Sequence, residues 1–476
     1  MSRCRQSRPE TSQWHAVAGK SAAVSLGWSG WLMNQAGKYG LLTLTCVVIA
    51  SMIGSGVFTT SGFSMAALGS AKLVMLAWCC GGLIAICGAV SYAELSRRLP
   101  MSGGEYTYLS RRLNPAVGFL AGWVSLTAGF SGAIALAALT CDVYFAGLNL
   151  FPEIPPRGIA VALILLAGIG HAFLSRGAAR LQDGIVLLKV VVLLIFLGSA
   201  AGQVSEHPWH WQSRGESGAA GGALVLEFAR QLMWISLSYT GFNAAIYIAA
   251  EVRDASVTVP RALVIGTCAV TTLYLLLNLT FVTAVPANEI SGQKDIAAIA
   301  AQAIGGPRLG TLMRAAVVLG TASSVAGMIM TGPRVFSRMA EDGLFPRFFS
   351  VEQDGISRTV MLQTGIAMVL VIFSDLQELL SYLSSILALS SALTVLTLFL
   401  PERGSDLQLS PVSPGVLLAA GIYVTATCVT AALMLARDPK ELYGAGATIL
   451  VGLVLWQWVG RSRWKPGAET ESCKGG

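Results

Sequence analysis

The sequence predicts an all-α integral membrane protein of about twelve transmembrane helices. The expected arrangement is a pair of inverted five-helix repeats, with discontinuous helices 1 and 6 and two extra C-terminal helices. Three observations predict it. Only 12% of the 476 residues are charged, 54% are hydrophobic, and the mean hydropathy is +0.65. Soluble domains carry roughly 25% charged residues, so this little charge does not cover a solvated surface. Second, mostly apolar segments recur at about the 20-residue length needed to cross a hydrocarbon core roughly 30 Å thick. Third, glycines interrupt the first and the sixth of these segments.

In chain order, residues 1–38 carry Arg3, Arg5, Arg8 and Lys20 with no helical period, and are expected to form a disordered cytoplasmic tail. Spans are expected at 41–66, 71–93, 115–146, 158–174, 182–201, 225–250, 263–285, 309–332, 360–376, 377–400, 412–436 and 443–459. The split between the ninth and tenth rests on Asp375 and Glu378 as a polar turn. This divides the chain into a core at 39–400 (repeats at about 41–201 and 225–400), helices 11 and 12 within 401–460, and a cytoplasmic tail at 461–476. No compact apolar core precedes a small-residue cleavage site, so the first span is read as the insertion signal.

Lys and Arg set the orientation, because cytoplasmic loops are enriched in them. With the N-terminus inside, inner segments hold 22 of the 32 and outer loops hold 7; Lys189, Arg230 and Arg314 fall within spans. Both termini are therefore expected to be cytoplasmic, in a multi-pass protein of the cell membrane. The same bias accounts for the net charge of +7 without nucleic acid.

Covalent chemistry has little support. The nine cysteines lie mostly in apolar runs, and none shows metal-ligand spacing with His15, His171, His207 or His210, so neither a metal nor a cofactor is expected. HExxH, Gly-x-Ser-x-Gly and phosphate-loop motifs are absent from the sequence, which disfavours an enzyme or an ATP-driven pump.

The interruptions point elsewhere. The first span reads Met52-Ile53-Gly54-Ser55-Gly56-Val57-Phe58, and the sixth reads Leu237-Ser238-Tyr239-Thr240-Gly241-Phe242-Asn243. Glycine costs about 1 kcal/mol relative to alanine inside a helix. Backbone freed in mid-membrane is tolerated only where protein buries it or where it lines a cavity. Interrupted helices at corresponding places in two halves mark a transporter site. A half-helix starting near Gly56 offers N–H groups and a positive dipole end, which suit a carboxylate. The end of a half-helix near Tyr239 and Thr240, with carbonyls of Met52 and Ile53, offers oxygens that suit an ammonium group. Together they complement a zwitterionic amino acid without any charged side chain. Close packing through small residues is the competing explanation for Gly54 and Gly56.

At these residues the chain resembles the amino acid–polyamine–organocation (APC) superfamily of permeases, near the L-type amino acid transporter branch. Met52–Phe58 is similar to the family's first-helix signature. Ser238–Asn243, followed by Ala250-Glu251-Val252 and Val259-Pro260-Arg261-Ala262, resembles its sixth helix and the following turn. Pro100–Tyr106 resembles the loop after helix 2, and Arg334–Pro346 the exit of helix 8. The resemblance implies the leucine-transporter-type fold and alternating access. It also implies that Ser55 and Gly56 hold the α-carboxylate, and that carbonyls of Met52, Leu237, Ser238 and Thr240 hold the α-amino group. Tyr239 is expected as an aromatic gate or as packing.

Asn243 stands where many relatives carry an acid, which favours a neutral side chain on the substrate. A permease for cationic amino acids or polyamines, and an amino-acid sensor, are the alternatives. The family's animal L-type members bond a heavy chain through a cysteine between helices 3 and 4; residues 147–157 hold none, so no disulfide-linked heavy chain is expected.

Lys189 lies about eight residues, roughly 12 Å, into the fifth span. A charge at that depth costs at least about 2.5–3.5 kcal/mol on insertion scales and normally faces a cavity or a partner. The resemblance implies that it replaces a coupling sodium ion, between the first break and hydroxyls of the eighth span, Thr321 and Ser324; the competing reading is a structural cation that bonds freed carbonyls with no proton movement. Proton symport and obligatory exchange both stay open. Thr127 and Ser131 in the third span are candidates for the pocket or a gate, with Asn243. Arg230 and Arg314 are read as interfacial, and Glu94, Arg97, Arg98, Arg111 and Arg112 as an inner charged surface or gate rather than a catalytic pair. Glu251 and Arg334 are candidates for inner-gate ion pairs.

Overall fold

The computed structural model describes residues 39–99, 104–173, 178–211, 221–252, 254–341, 343–350, 355–401, 411–437 and 443–459. The two terminal tails expected from the sequence lie outside them, as do the side chains of Glu251 and Arg334. Among the described residues the secondary structure is helical, with one isolated β-bridge between Tyr39 and Val252.

In chain order the helices are α1 (Leu41–Met52), α2 (Gly56–Leu68), α3 (Ala71–Arg98), α4 (Gly104–Arg112), α5 (Pro115–Val124), α6 (Ala133–Ala146), α7 (Gly158–Phe173) and α8 (Ala178–Gly202). They continue with α9 (Gly222–Ser238), α10 (Ala255–Thr283), α11 (Ile296–Glu341), α12 (Gly355–Phe373), α13 (Leu376–Leu396), α14 (Pro414–Arg437) and α15 (Tyr443–Val459). A π-helical stretch, Ser125–Gly132, joins α5 to α6, and a 3₁₀ segment, Ala244–Glu251, follows α9.

Seven of the described helices are long and apolar enough to cross a membrane, or eight when the bent pair α1–α2 counts as one span. The outward surface agrees: Leu166 is 72% exposed, Phe373 78% and Trp458 86%. An apolar exterior of this kind belongs against lipid, since soluble monomers rarely expose large contiguous apolar patches. The protein is a multi-pass membrane protein.

Local chemistry explains the boundaries. Asn114 caps α5 by accepting from the Val117 N–H at 3.0 Å, ahead of Pro115 in the first turn. The polar turn at Asp375 and Glu378 is a reciprocal capping box: Asp375 Oδ1 accepts from Glu378 N at 2.8 Å and Glu378 Oε2 accepts from Asp375 N at 3.0 Å. Asp142 accepts from the N–H groups of Arg157, Ile159 and Ala160, placing a carboxylate at the start of α7. Helix α11 begins earlier than the span expected at 309–332. It is kinked at Gly305 and Gly306, where Gly306 has φ +72° ahead of Pro307.

Buried apolar side chains fall into separate clusters rather than one core. The first unites α1, α2, α3, α10 and the start of α11. The second unites α6, α7, α12 and the first half of α13. A third joins Tyr106 of α4 and Phe119 of α5 to Phe336 and Met339 near the end of α11. The break after α9 straddles the first two, with Tyr239 in one and Leu237 in the other.

Candidate substrate site between two broken helices

Helix α1 stops because the chain closes a three-residue turn. Ile53, at φ −73° and ψ 80°, lets the Gly54 N–H reach the Met52 carbonyl at 2.7 Å, which is inverse γ-turn geometry. Helix α2 restarts at Gly56 with its axis turned by 41°. The Phe58 N–H returns to the Ser55 carbonyl at 3.1 Å. The N–H groups of Ser55, Gly56 and Val57 find no acceptor among the described residues, and no side chain caps this end. The helix start therefore presents unpaired donors beside the Ser55 hydroxyl.

The second break is complementary. Thr240 folds back so that its N–H and its hydroxyl both donate to the Leu237 carbonyl, at 3.0 and 2.7 Å. Gly241 then takes φ +98°, a conformation that L side chains rarely adopt, and the chain continues as the 3₁₀ segment. The carbonyls of Ser238, Tyr239 and Thr240 accept no hydrogen bond from the described residues.

The two breaks touch through their glycines. A Cβ on Gly56 would overlap the Ser238 hydroxyl and lie 2.9 Å from Ser238 Cβ and 3.0 Å from its Cα. A Cβ on Gly241 would lie 2.7 Å from the Ser51 carbonyl oxygen and 3.1 Å from the Met52 nitrogen. Each break thus seats its glycine against the other, and Thr60 Oγ1 lies 3.3 Å from Ser238 Oγ at the same junction.

Several expected contacts are redirected. The Met52 carbonyl, assigned to the substrate's amino group, already accepts from Gly54 N and from the Tyr274 hydroxyl at 2.6 Å. The Leu237 carbonyl is doubly engaged by Thr240, and the Ile53 carbonyl accepts from Lys189 Nζ at 2.5 Å. Carbonyls freed by a break in lipid need donors, and here the protein supplies them. Of the carbonyls assigned to the ammonium group, those of Ser238 and Thr240 remain open. The Tyr239 side chain is packed: its hydroxyl donates to the Trp78 carbonyl at 3.1 Å, and its ring lies edge-on to Trp78 and tilted against Tyr274.

Lys189 is buried and reaches the first break from α8. Its stem passes Gly320, where a Cβ would lie 2.7 Å from Lys189 Cδ. Thr321 and Ser324 do not bond it; they donate to carbonyls of their own helix, Val317 at 2.7 Å and Gly320 at 2.9 Å. Thr127 donates to the Trp123 carbonyl at 3.0 Å, and the buried Ser131 hydroxyl has no partner among the described residues. Both lie in the π-helical stretch, a feature that recurs at functional sites. Asn243 is half-buried just beyond Gly241.

Sequence reasoning missed Tyr274, and also Tyr144, whose hydroxyl donates to the Phe58 carbonyl at 2.7 Å. It missed the chain in which Trp78 Nε1 donates to Ser61 at 2.8 Å and Ser61 donates to Asn278 Oδ1 at 2.6 Å. The available signal was the presence of Asn278 and these tyrosines inside apolar runs. Arg230 and Arg314, read as interfacial, are engaged: Arg230 stacks over Trp234 at 4.3 Å, and Arg314 pairs with Asp295 at 3.3 Å.

Two broken helices that meet face to face within a bundle of membrane helices are the arrangement expected of a membrane transporter. The amino acid permease family model matches residues 39–454, and the chain belongs to that family, within the APC superfamily and near its L-type branch. It is 27% identical over 405 residues to the human large neutral amino acids transporter small subunit 2, covering 82% of this chain and 74% of that protein. It is also 27% identical over 378 residues to the human Asc-type amino acid transporter 1, covering 76% and 71%. With the mouse b(0,+)-type amino acid transporter 1 it shares 26% over 374 residues, covering 76% and 75%.

Proposed function

We propose that the protein is a secondary active permease for neutral L-amino acids, working by alternating access in the cell membrane with both termini cytoplasmic. In this reading twelve spans form two inverted five-helix repeats plus two C-terminal helices. The broken spans α1–α2 and α9–3₁₀ open the two repeats. The observation that carries the reading is the reciprocal seating of Gly56 on Ser238 and Gly241 on Ser51–Met52, which brings unpaired N–H groups beside unpaired carbonyls. The substrate carboxylate docks at Ser55, Gly56 and Val57, and its ammonium group at the Ser238 and Thr240 carbonyls. The names of the relatives, two of which specify large neutral and Asc-type amino acid transport, support an amino acid as cargo. Asn243 in place of an acid supports a neutral side chain.

Lys189 holds the position of a fixed cation beside the first break and serves coupling, either by carrying a proton or by bridging the break as a permanent charge. No covalently attached partner takes part in this reading. The test is purified protein in proteoliposomes with a panel of labelled amino acids. Uptake is measured with and without internal substrate and with and without a pH gradient. Accumulation driven by the gradient alone identifies symport, and uptake that requires internal amino acid identifies exchange. A panel in which no amino acid moves rejects the reading.

A further inference from the structure

Glu105, at the start of α4, is 7% exposed, yet its carboxylate meets no cation among the described residues. Three hydroxyls converge on it instead. Tyr92 of α3 donates to Oε1 at 2.6 Å, and Ser391 and Ser390 of α13 donate to Oε1 and Oε2, each at 2.6 Å. These are the short lengths of hydroxyl-to-carboxylate bonds, which are roughly twice as strong as neutral ones. Glu94, on the neighbouring stretch of α3, shows the contrast: Arg97 and Arg98 both pair with it, at 2.8 and 2.6 Å. A buried carboxylate satisfied only by hydroxyls is costly to keep, and such groups tend to be retained for a role other than stability.

Its location supplies the role. Tyr92 belongs to the first apolar cluster and Tyr106, next to Glu105, to the third. Helix α13 contributes its first half to the second cluster and Ala392, Val395 and beyond to the first. Close-packed clusters resist internal shear, so relative motion concentrates at the boundaries between them. Glu105 ties such a boundary together with bonds that can reform. The neighbouring Gly104, at φ +64°, packs under the Tyr247 ring, where a Cβ would lie 2.6 Å from Cζ. Tyr247 stands on the 3₁₀ segment that follows the second break. Glu105 thus lies one residue from a packing contact with the segment that continues the second break.

We propose that Glu105 is a positioning residue for the conformational step: it clasps α3 to α13 through Tyr92, Ser390 and Ser391, and the clasp opens and closes in each transport cycle. This rests on the permease reading above. Weakening the clasp depopulates a state through which every cycle passes, so turnover falls while the substrate site keeps its affinity.

The test compares Glu105→Gln, Glu105→Asp and the double variant Ser390→Ala/Ser391→Ala with the wild type. Leucine binding is measured in detergent, leucine turnover in proteoliposomes, and hydrogen exchange over residues 104–112. The expected result for Glu105→Gln is binding within about twofold, turnover lowered about tenfold and faster exchange at 104–112. Glu105→Asp restores most of the turnover, and the double serine variant falls between. Wild-type turnover in Glu105→Gln overturns the proposal, as does a joint loss of binding and turnover that aspartate does not rescue. A wild-type protein that moves no amino acid removes the permease reading instead. Unchanged exchange at 104–112 in Glu105→Gln then still refutes the clasp.

Discussion

The Lys189 ammonium group donates to the Ile53 carbonyl oxygen at 2.5 Å, and among the described residues this is its single hydrogen bond. A buried cation on α8 is thereby fastened to the residue at which α1 ends. The two links usually separated, a charge in the membrane and a broken helix, are one construction here: the break frees a carbonyl, and the lysine occupies it.

This pairing predicts a separation of charge from hydrogen bonding. Lys189→Gln retains a donor for the Ile53 carbonyl but removes the charge, whereas Lys189→Ala removes both. Both variants are expected to lose uptake driven by a pH gradient, and alanine alone is expected to lose folding stability as well, by about 1–3 kcal/mol for an unpaired buried carbonyl. Gradient-driven uptake and thermal midpoints in detergent check this. Full gradient-driven uptake by the glutamine variant would remove the coupling role.

The glycine contacts predict which substitutions are intolerable. Gly56→Ala places a methyl group against the Cα and Cβ of Ser238, in backbone that has little room to shift. Uptake of every substrate in the panel is expected to fall at least about tenfold, because the two breaks are pushed apart as a unit rather than one side-chain pocket being altered. Selective loss of only the larger substrates would place Gly56 in the side-chain pocket instead.

Tyr274 predicts a stability effect. Its hydroxyl fills the Met52 carbonyl at 2.6 Å, from a fully buried position. Tyr274→Phe keeps the ring packing against Trp78 and Tyr239 but leaves that carbonyl with the Gly54 N–H as its remaining donor. A loss of about 1 kcal/mol in unfolding free energy is expected. Thermal unfolding of the purified variant measures it, and an unchanged midpoint would show that the hydroxyl contributes nothing net.

Asn278 predicts a larger loss. It anchors Ser61, which in turn accepts from the Trp78 indole, linking α10, α2 and α3 through buried groups. Asn278→Leu strands a buried hydroxyl and is expected to cost about 1–3 kcal/mol. Combined with Ser61→Ala it is expected to cost less than the sum of the two single losses, since both changes remove the same Ser61–Asn278 bond. Full additivity in the double-mutant cycle would contradict the network.

Much of this was legible in the sequence because lipid imposes strict rules. Apolar length placed most of the described helices, although α10 begins at Ala255 rather than 263 and α11 runs from Ile296 to Glu341 rather than over 309–332, and Asp375 with Glu378 marked a true helix boundary. Gly54, Gly56 and Gly241 marked both breaks, and Lys189 was assigned to the first of them. What stayed hidden depends on which side chain reaches which freed carbonyl. Composition cannot say that Tyr274 takes Met52, that Thr240 takes Leu237, or that Tyr239 turns toward Trp78. The π-helical stretch at Ser125–Gly132 was equally silent, since its sequence is that of an ordinary small-residue helix. Gly56 was expected beside a carboxylate; the contact it makes is with Ser238, whose Cα and Cβ leave no room for a side chain there.

The most direct measurement is competition for binding to the purified protein by three molecules with one side chain: a neutral amino acid, its methyl ester and its 2-oxo acid. Recognition by the Ser55–Val57 N–H groups and by the Ser238 and Thr240 carbonyls requires both ends of the zwitterion. The amino acid should therefore compete, and both analogues should be weaker by about tenfold or more. Equal competition by either analogue would mean that one end of the substrate is not held by these broken helices.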